Sequence, residues 1–291
     1  MLARSCLAGG HRLTNERRKL TPPEPYYDSD GITIYCGDNV AALGGLEADS
    51  IDLTVTSPPY DNLREYGGHS WDFEGVAQQL WRVTKPGGVV VWVVADATID
   101  GSETGTSFRQ ALHFKDIGFR LETMIFEKQS FMQPTENVPR YYQLAEFMFV
   151  LSNGKPKAFN PIIDVENTQA GKTKRLFGNN SAFSGLGEGK TIEIATHRRR
   201  SNVWRYLTGH QHSTGDSCAF NHPAIFPEAL ARDHILSWSN EGDTVLDPFN
   251  GSGTTTKMAK HMNRQAIGIE IEERYCEIAA NRLRQGVLTF T

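Results

Sequence analysis

Cysteine is scarce in this sequence: Cys6, Cys36, Cys218 and Cys276 are the only four, with no CxxC pair and no metal-ligand spacing. That excludes a disulfide scaffold and reads as free thiols in a reducing cytoplasm. His210 and His212 near Cys218 have no matching fourth ligand, so no metal site is expected. Long apolar runs are missing too. The longest, Gly88 to Ala95 (GVVVWVVA), falls far short of the ~20 residues that a membrane span needs. The arginines near the N-terminus lead into no apolar segment, so no secretory signal is expected and the chain reads as cytoplasmic. There is no excess of positive charge, the formal net charge being −4. Nucleic-acid binding survives that observation, because affinity depends on where charge sits.

The charge is unevenly placed. From Lys172 to Arg205 the chain carries Lys172, Lys174, Arg175, Lys190, Arg198, Arg199, Arg200 and Arg205 against only Glu188 and Glu193. Around that stretch the pattern is regular. Residues 1–25 form a basic arm ending in TPPEP, without apolar period. Strands are predicted at Ile32 to Cys36, Ile51 to Thr56, Val89 to Val94, Phe119 to Glu127 and Glu146 to Leu151, with helices at Phe73 to Thr84 and Phe108 to Ile117. Between residues 160 and 215 the alternation stops, and Gly, Asn, Ser, Thr and basic residues suggest loops and small elements. It resumes with a helix at Pro227 to Trp238, a strand at Asp243 to Asp247, a helix at Thr254 to His261, a strand at Gln265 to Glu270 and a helix at Glu273 to Leu283. Continuous apolar strands alternating with helices indicate an α/β doubly wound fold with a mostly parallel sheet. The α/β domain would comprise residues 26–159 and 216–291, interrupted by the insert at 160–215.

Two motifs carry chemistry. Asp247-Pro248-Phe249-Asn250-Gly251-Ser252-Gly253-Thr254 lies between a strand and a helix, where a glycine-rich turn and a helix N-terminus admit a ligand to the backbone. About 20 residues on, Glu270 ends the next strand and can take both hydroxyls of a ribose. The third glycine of a dinucleotide fingerprint is replaced by Thr256, and Lys257 is out of frame for a phosphate loop. An adenosyl ligand without phosphate fits these residues. The second motif is Thr56-Ser57-Pro58-Pro59-Tyr60, at the end of another strand. Its prolines stiffen the backbone and leave the Pro58 carbonyl free to accept beside the Ser57 hydroxyl. Tyr60 adds a flat face. An exocyclic amino group on a planar base, with two N–H donors, suits such a cradle.

With both motifs at carboxyl ends of strands, the chain resembles the β-class DNA amino-methyltransferases. TSPPY comes first, the basic insert lies between, and DPFNGSGTT is last. The resemblance covers the chain from about residue 31 onward. It implies a Rossmann-like methyltransferase fold, S-adenosylmethionine as cofactor and double-stranded DNA as substrate. The insert would be the target-recognition region, with Lys172, Lys174, Arg175, Arg198, Arg199, Arg200 and Arg205 contacting DNA. His222 and Pro223 would close over the methionine part of the cofactor, and Asp38 would approach its adenine. The site would thus be assembled from both ends of the chain. A homodimer is expected from the resemblance, and a restriction endonuclease acting on the same site is the partner it allows, a solitary enzyme being the alternative.

The mechanism implied is direct transfer to a base flipped out of the duplex. Tyr60 would stack on the base, while Ser57 and the Pro58 carbonyl accept from the amino hydrogens and localise the nitrogen lone pair. No Pro-Cys nucleophile of the carbon-5 type is present. Family members acting on cytosine N4 usually carry Ser before PPY, and those acting on adenine N6 carry Asp or Asn. Ser57 therefore points to cytosine N4, with adenine N6 as the second reading. An RNA or protein methyltransferase, or a DNA-binding module without activity, are the remoter ones.

Overall fold

Val89 to Val94 are all buried, and their side chains divide between two cores. Val89, Val91 and Val93 join one apolar cluster, and Val90, Trp92 and Val94 join the other. A strand that is apolar on both faces needs cover on both, which is why this run shows no polar alternation. In the structure, a computed structural model, the described residues are 23–60, 71–129, 140–176, 190–209 and 212–285. Most of the expected basic arm, part of the insert and His210 lie outside them.

The chain opens with β1 (Tyr27–Ser29), β2 (Ile32–Cys36), α1 (Asn39–Gly45) and β3 (Ile51–Thr56). It continues through α2 (Phe73–Val83), β4 (Thr84–Val94), the small pair β5 (Thr98–Ile99) and β6 (Ser102–Glu103), and α3 (Thr106–Ile117). Next come β7 (Arg120–Lys128) and β8 (Ala145–Ser152), then β9 (Ile163–Glu166), β10 (Thr173–Leu176), β11 (Lys190–Glu193), β12 (His197–Arg199) and β13 (Val203–Tyr206). A 3-10 turn (Ser217–Asn221) precedes α4 (Glu228–Trp238), β14 (Thr244–Asp247), α5 (Thr254–His261), β15 (Gln265–Glu270) and α6 (Glu273–Arg284).

Among the described residues the main sheet has nine strands, in the order β1-β2-β15-β14-β3-β4-β8-β7-β13. Only β1 and β8 run against the others. Helices α1, α2 and α3 supply one core and α4, α5 and α6 the other, giving three layers. The doubly wound, Rossmann-like fold read from the sequence is thus the fold found. Lys85 to Gly88, expected as a plain helix exit, lies within the span of β4, where the ladder with β3 jumps from Ile51–Thr84 to Leu53–Val89.

The insert departs from the expected loops. β9 pairs with β12 and β10 with β11, so residues 163–176 and 190–199 run side by side as a two-stranded antiparallel ribbon. Both faces of β9 and β12 are largely solvated, so no period-two apolar pattern marks them. β13 leaves the ribbon and forms the far edge of the main sheet, parallel to β7.

Candidate active site

β14 and β3 lie side by side and parallel, with Leu246 opposite Thr54. From β14 the chain winds outward through α5 to β15, and from β3 in the opposite direction through α2 to β4. That reversal opens a crevice at the carboxyl ends of the strands, where ligands bind in open α/β sheets. The two sequence motifs meet there. Thr56 Oγ1 donates to Asp247 Oδ1 at 2.7 Å, and Thr255 Oγ1 donates to the Val55 carbonyl at 3.1 Å. The N-terminal strand completes the rim: β2 pairs with β15, Cys36 opposite Glu270, and the Gly37 N–H donates to the Glu270 carbonyl at 2.8 Å.

A cavity of about 920 Å³ occupies this rim. It is lined by Asp38, Ser57, Pro58, Pro59, Tyr60, His222, Pro223, Asp247, Pro248, Phe249, Asn250, Gly251, Ser252, Thr254 and Glu270. The structure therefore gathers every expected catalytic and cofactor residue except Gly253 in one space. Gly253 faces away: at φ 79° it begins α5, and a Cβ there would stand 2.7 Å from the Ala279 Cβ of α6. Its glycine serves helix packing and not ligand approach. Gly251, which borders the cavity, is needed for a different contact: at φ 49° a Cβ there would lie 2.9 Å from His222 Nε2. His222 is buried edge-on against Tyr275, with ring centroids 4.4 Å apart. Asp38 caps α1 by accepting from the Ala41 N–H at 2.8 Å, while still bordering the cavity.

The lining is acidic. Asp38, Asp96, Glu146, Asp247, Glu270 and Glu272 border the cavity, and among the described lining residues the only lysine and arginine are Lys128 and Arg140. Glu270 Oε2 accepts from the Gly251 N–H at 2.8 Å and Oε1 from the Glu272 N–H at 2.9 Å. The carboxylate still borders the cavity, where a ribose hydroxyl could reach it. Burial pushes the Glu270 carboxyl above its usual range, against backbone N–H bonds from Glu272, Gly251 and Ile271. Among the described residues a phosphate meets no cation beside Glu270, whereas a cationic adenosyl compound meets carboxylates. The residues present fit S-adenosylmethionine.

Asp247 is pushed up to about 6 by burial, although Thr56 and the Phe249 N–H bond to it. Its folded value exceeds the unfolded one, so the folded chain holds the extra proton between about pH 4 and 6. Its contribution is fully present below the unfolded value and lost as pH rises through the folded one. Relative to Asp247→Asn, the wild type should therefore lose about 3 kcal/mol of stability between pH 4 and 7. Paired denaturant titrations measure this difference, and a pH-independent gap would refute it.

The TSPPY end of the cavity holds residues that the sequence motifs do not include. Tyr60 Oη lies 2.8 Å from Ser57 Oγ and donates to Glu146 Oε2 at 3.0 Å. Glu146, buried at the start of β8, forms an ion pair through Oε1 with Lys128 at the end of β7. The available signal was Glu146 itself, a carboxylate opening the apolar strand EFMFVL. Trp71, which lines the cavity, and the buried Trp92 pack edge-on against Phe249, at 5.0 and 6.1 Å between centroids.

Of the basic residues expected at DNA, Lys172, Lys174, Arg198, Arg199, Arg200 and Arg205 do not line the cavity. Lys172, Lys174, Arg198 and Arg199 are exposed along the ribbon, and Arg175 lies on β10. Arg205, exposed on β13, pairs with Glu127 at 3.1 Å. Arg200 is engaged inward, contrary to the expectation of a DNA contact. It forms an ion pair with Asp164 and meets the buried Asp233 at 2.6 Å, where Tyr206 also donates at 2.8 Å. A carboxylate as buried as Asp233 needs a cation, and Arg200 on Oδ2 and Arg232 on Oδ1 supply it.

A doubly wound sheet whose crevice brings TSPPY together with DPFNGSG is the architecture of a DNA methyltransferase. The N6_N4_Mtase family, described as DNA methylase, matches residues 51–281, and the chain belongs to that family. It is 55% identical over 242 residues to the orphan methyltransferase M.BamHII of Bacillus amyloliquefaciens, covering 82% of this chain and 91% of that one. It is 30% identical over 269 residues to the Type II methyltransferase M.HpaI of Haemophilus parainfluenzae, covering 86% and 73% of the two chains. Among solved structures, PvuII DNA methyltransferase (cytosine-N4-specific) shares the fold at a TM-score of 0.66 and 21% identity, over 91% of this chain and 90% of that one. The M1.HpyAVI–SAM complex does so at a TM-score of 0.55 and 22% identity, over 87% and 100%.

Proposed function

We propose that this DNA methyltransferase acts at a specific site on double-stranded DNA and methylates the exocyclic N4 of a flipped-out cytosine. The observation that carries this reading is Ser57, placed in a TSPPY strand end that is hydrogen-bonded through Thr56 to the cofactor motif at Asp247. The cofactor is S-adenosylmethionine, which when bound supplies a methyl group on a cationic sulfur. Glu270 would hold its ribose, with Asp38, His222 and Gly251 bordering the same space.

The other contributions come from the protein. Tyr60 offers a ring face to the base and is held by Ser57 and Glu146. Ser57 and the Pro58 carbonyl accept the amino hydrogens, which draws the nitrogen lone pair out of conjugation with the ring. Catalysis is then mainly orientation and electrostatic help in a walled cavity. The cytosine-N4 specificity in the name of the PvuII enzyme agrees with the choice of base. An adenine-N6 enzyme would use the same cradle and is the second reading.

Residues 160–215 form the target-recognition region in this proposal. A two-stranded ribbon fits a major groove, and Arg198, Arg199, Lys172 and Lys174 line its exposed surface. Arg175 and Arg205 add charge nearby, while Arg200 braces the ribbon against α4 through Asp233. The name of M.BamHII as an orphan supports a solitary enzyme over one paired with an endonuclease.

Mixed-sequence DNA incubated with the protein and labelled S-adenosylmethionine, then digested to nucleosides for mass spectrometry, should yield N4-methylcytosine. Sequencing the product gives the site. N6-methyladenine in its place would refute the choice of base.

A further inference from the structure

A serine hydroxyl can donate or accept, so Ser57 alone does not favour an amino group over a carbonyl oxygen. The neighbouring hydrogen bonds remove that ambiguity. Glu146 meets the Lys128 ammonium through Oε1 and the Tyr60 hydroxyl through Oε2. A carboxylate so paired has no hydrogen to give, so the single hydroxyl hydrogen of Tyr60 goes to Glu146. At 2.8 Å from Ser57, Tyr60 Oη can then only accept, and Ser57 must donate to it. With its one hydrogen committed, Ser57 has only lone pairs to offer the substrate.

We propose that Glu146 is a positioning residue that fixes the direction of the Ser57–Tyr60–Glu146 chain and thereby makes the site select a base with an exocyclic amino group. The inference rests on the reading of TSPPY as the substrate cradle. Cytosine N4 and adenine N6 present N–H donors, which suit an acceptor. Uracil, thymine and guanine present carbonyl oxygens at the equivalent position and would set two acceptors against each other. Lys128 holds the carboxylate in place from β7. In Glu146→Gln the amide can donate to Tyr60, Tyr60 to Ser57, and Ser57 into the cavity, so both polarities become available.

The test is equilibrium binding of the cofactor-free, full-length protein, by fluorescence anisotropy, to duplexes carrying the sequenced site. The target position holds either cytosine or uracil, each opposite an abasic residue so that the base is unpaired in both. The wild type should prefer cytosine about tenfold, the size of one mispaired hydrogen bond. Glu146→Gln should reduce the ratio to about twofold or less, since only this preference separates the two duplexes. Tyr60→Phe keeps the ring and cuts the same chain, so it should flatten the ratio equally, and the double variant should add nothing. Should Glu146→Gln fail to fold, as a melting curve would reveal, Tyr60→Phe carries the test. A wild-type ratio in a folded Glu146→Gln or Tyr60→Phe protein overturns the proposal. If the product proves to be N6-methyladenine, adenine against hypoxanthine replaces the first pair. Failure of the cytosine reading is thus distinguished from failure of the role given to Glu146.

Discussion

Arg282→Met should lower the melting temperature by about 10 °C, corresponding to a loss of about 3–5 kcal/mol. Arg282 is fully buried on α6. Its Nε donates to Asp216 Oδ2 at 2.8 Å, its Nη2 to Glu228 Oε1 at 2.7 Å and its Nη1 to the Ser252 carbonyl at 2.6 Å. Lys257 reaches the same two carboxylate oxygens at 2.7 and 2.8 Å. Two cations therefore face two carboxylates in a space largely closed to water. Burial pushes the Asp216 carboxyl up, but Lys257 and Arg282 outweigh it and hold the group below its usual range. Methionine would fill part of the volume and leave Asp216 and Glu228 sharing one ammonium. Adding either Asp216→Asn or Glu228→Gln should recover part of the loss, because Lys257 then faces a single carboxylate and no charge is left uncompensated. A melting temperature within about 2 °C of wild type would show that the network contributes no net stability.

Two substitutions should separate the halves of the crevice. Glu270→Gln should weaken S-adenosylmethionine binding about 100-fold by calorimetry, the scale of losing charge-assisted hydrogen bonds in a buried site. Ser57→Ala should leave that affinity within about threefold, since Ser57 lies at the other end of the rim, while lowering kcat about 100-fold or more. Unchanged cofactor affinity in the Glu270 variant would remove that residue from its assigned place. Unchanged turnover in the Ser57 variant would remove the cradle.

Much of the α/β core was legible because its signals are local. Thr254–His261 and Gln265–Glu270 stand where periodicity and the glycine turn put them. The two motifs were legible because strand ends in such sheets converge. What escaped depends on contacts between distant segments. Glu146 reaches Tyr60 across a separation of 86 residues, and Arg282 reaches Asp216 across 66. No spacing rule links such pairs. Arg200 depends on such a contact as well: its place in the run Arg198-Arg199-Arg200 reads as a DNA contact, yet Asp233 on α4 turns it inward. The ribbon was missed because strands exposed on both faces lack the alternation that burial imposes.

The seam between β2 and β15 has a consequence for how this enzyme relates to its own linear order. Near that seam, Tyr26 donates to Glu277 at 2.9 Å, Lys260 to Asp30 at 2.8 Å, and Arg284 lies over the Tyr27 ring at 5.7 Å. The first and last described parts of the chain are therefore neighbours, and a short bridge between them would close the backbone into a ring. Such a ring can be opened at another surface turn, for instance at Asn240–Asp243 ahead of β14, with every contact in the crevice retained. The order of cradle, ribbon and cofactor turn then becomes a property of where the ring is cut. Chains that read these parts in another sequence can share one site atom for atom, and their kinship is better judged from the closed circuit than from the line.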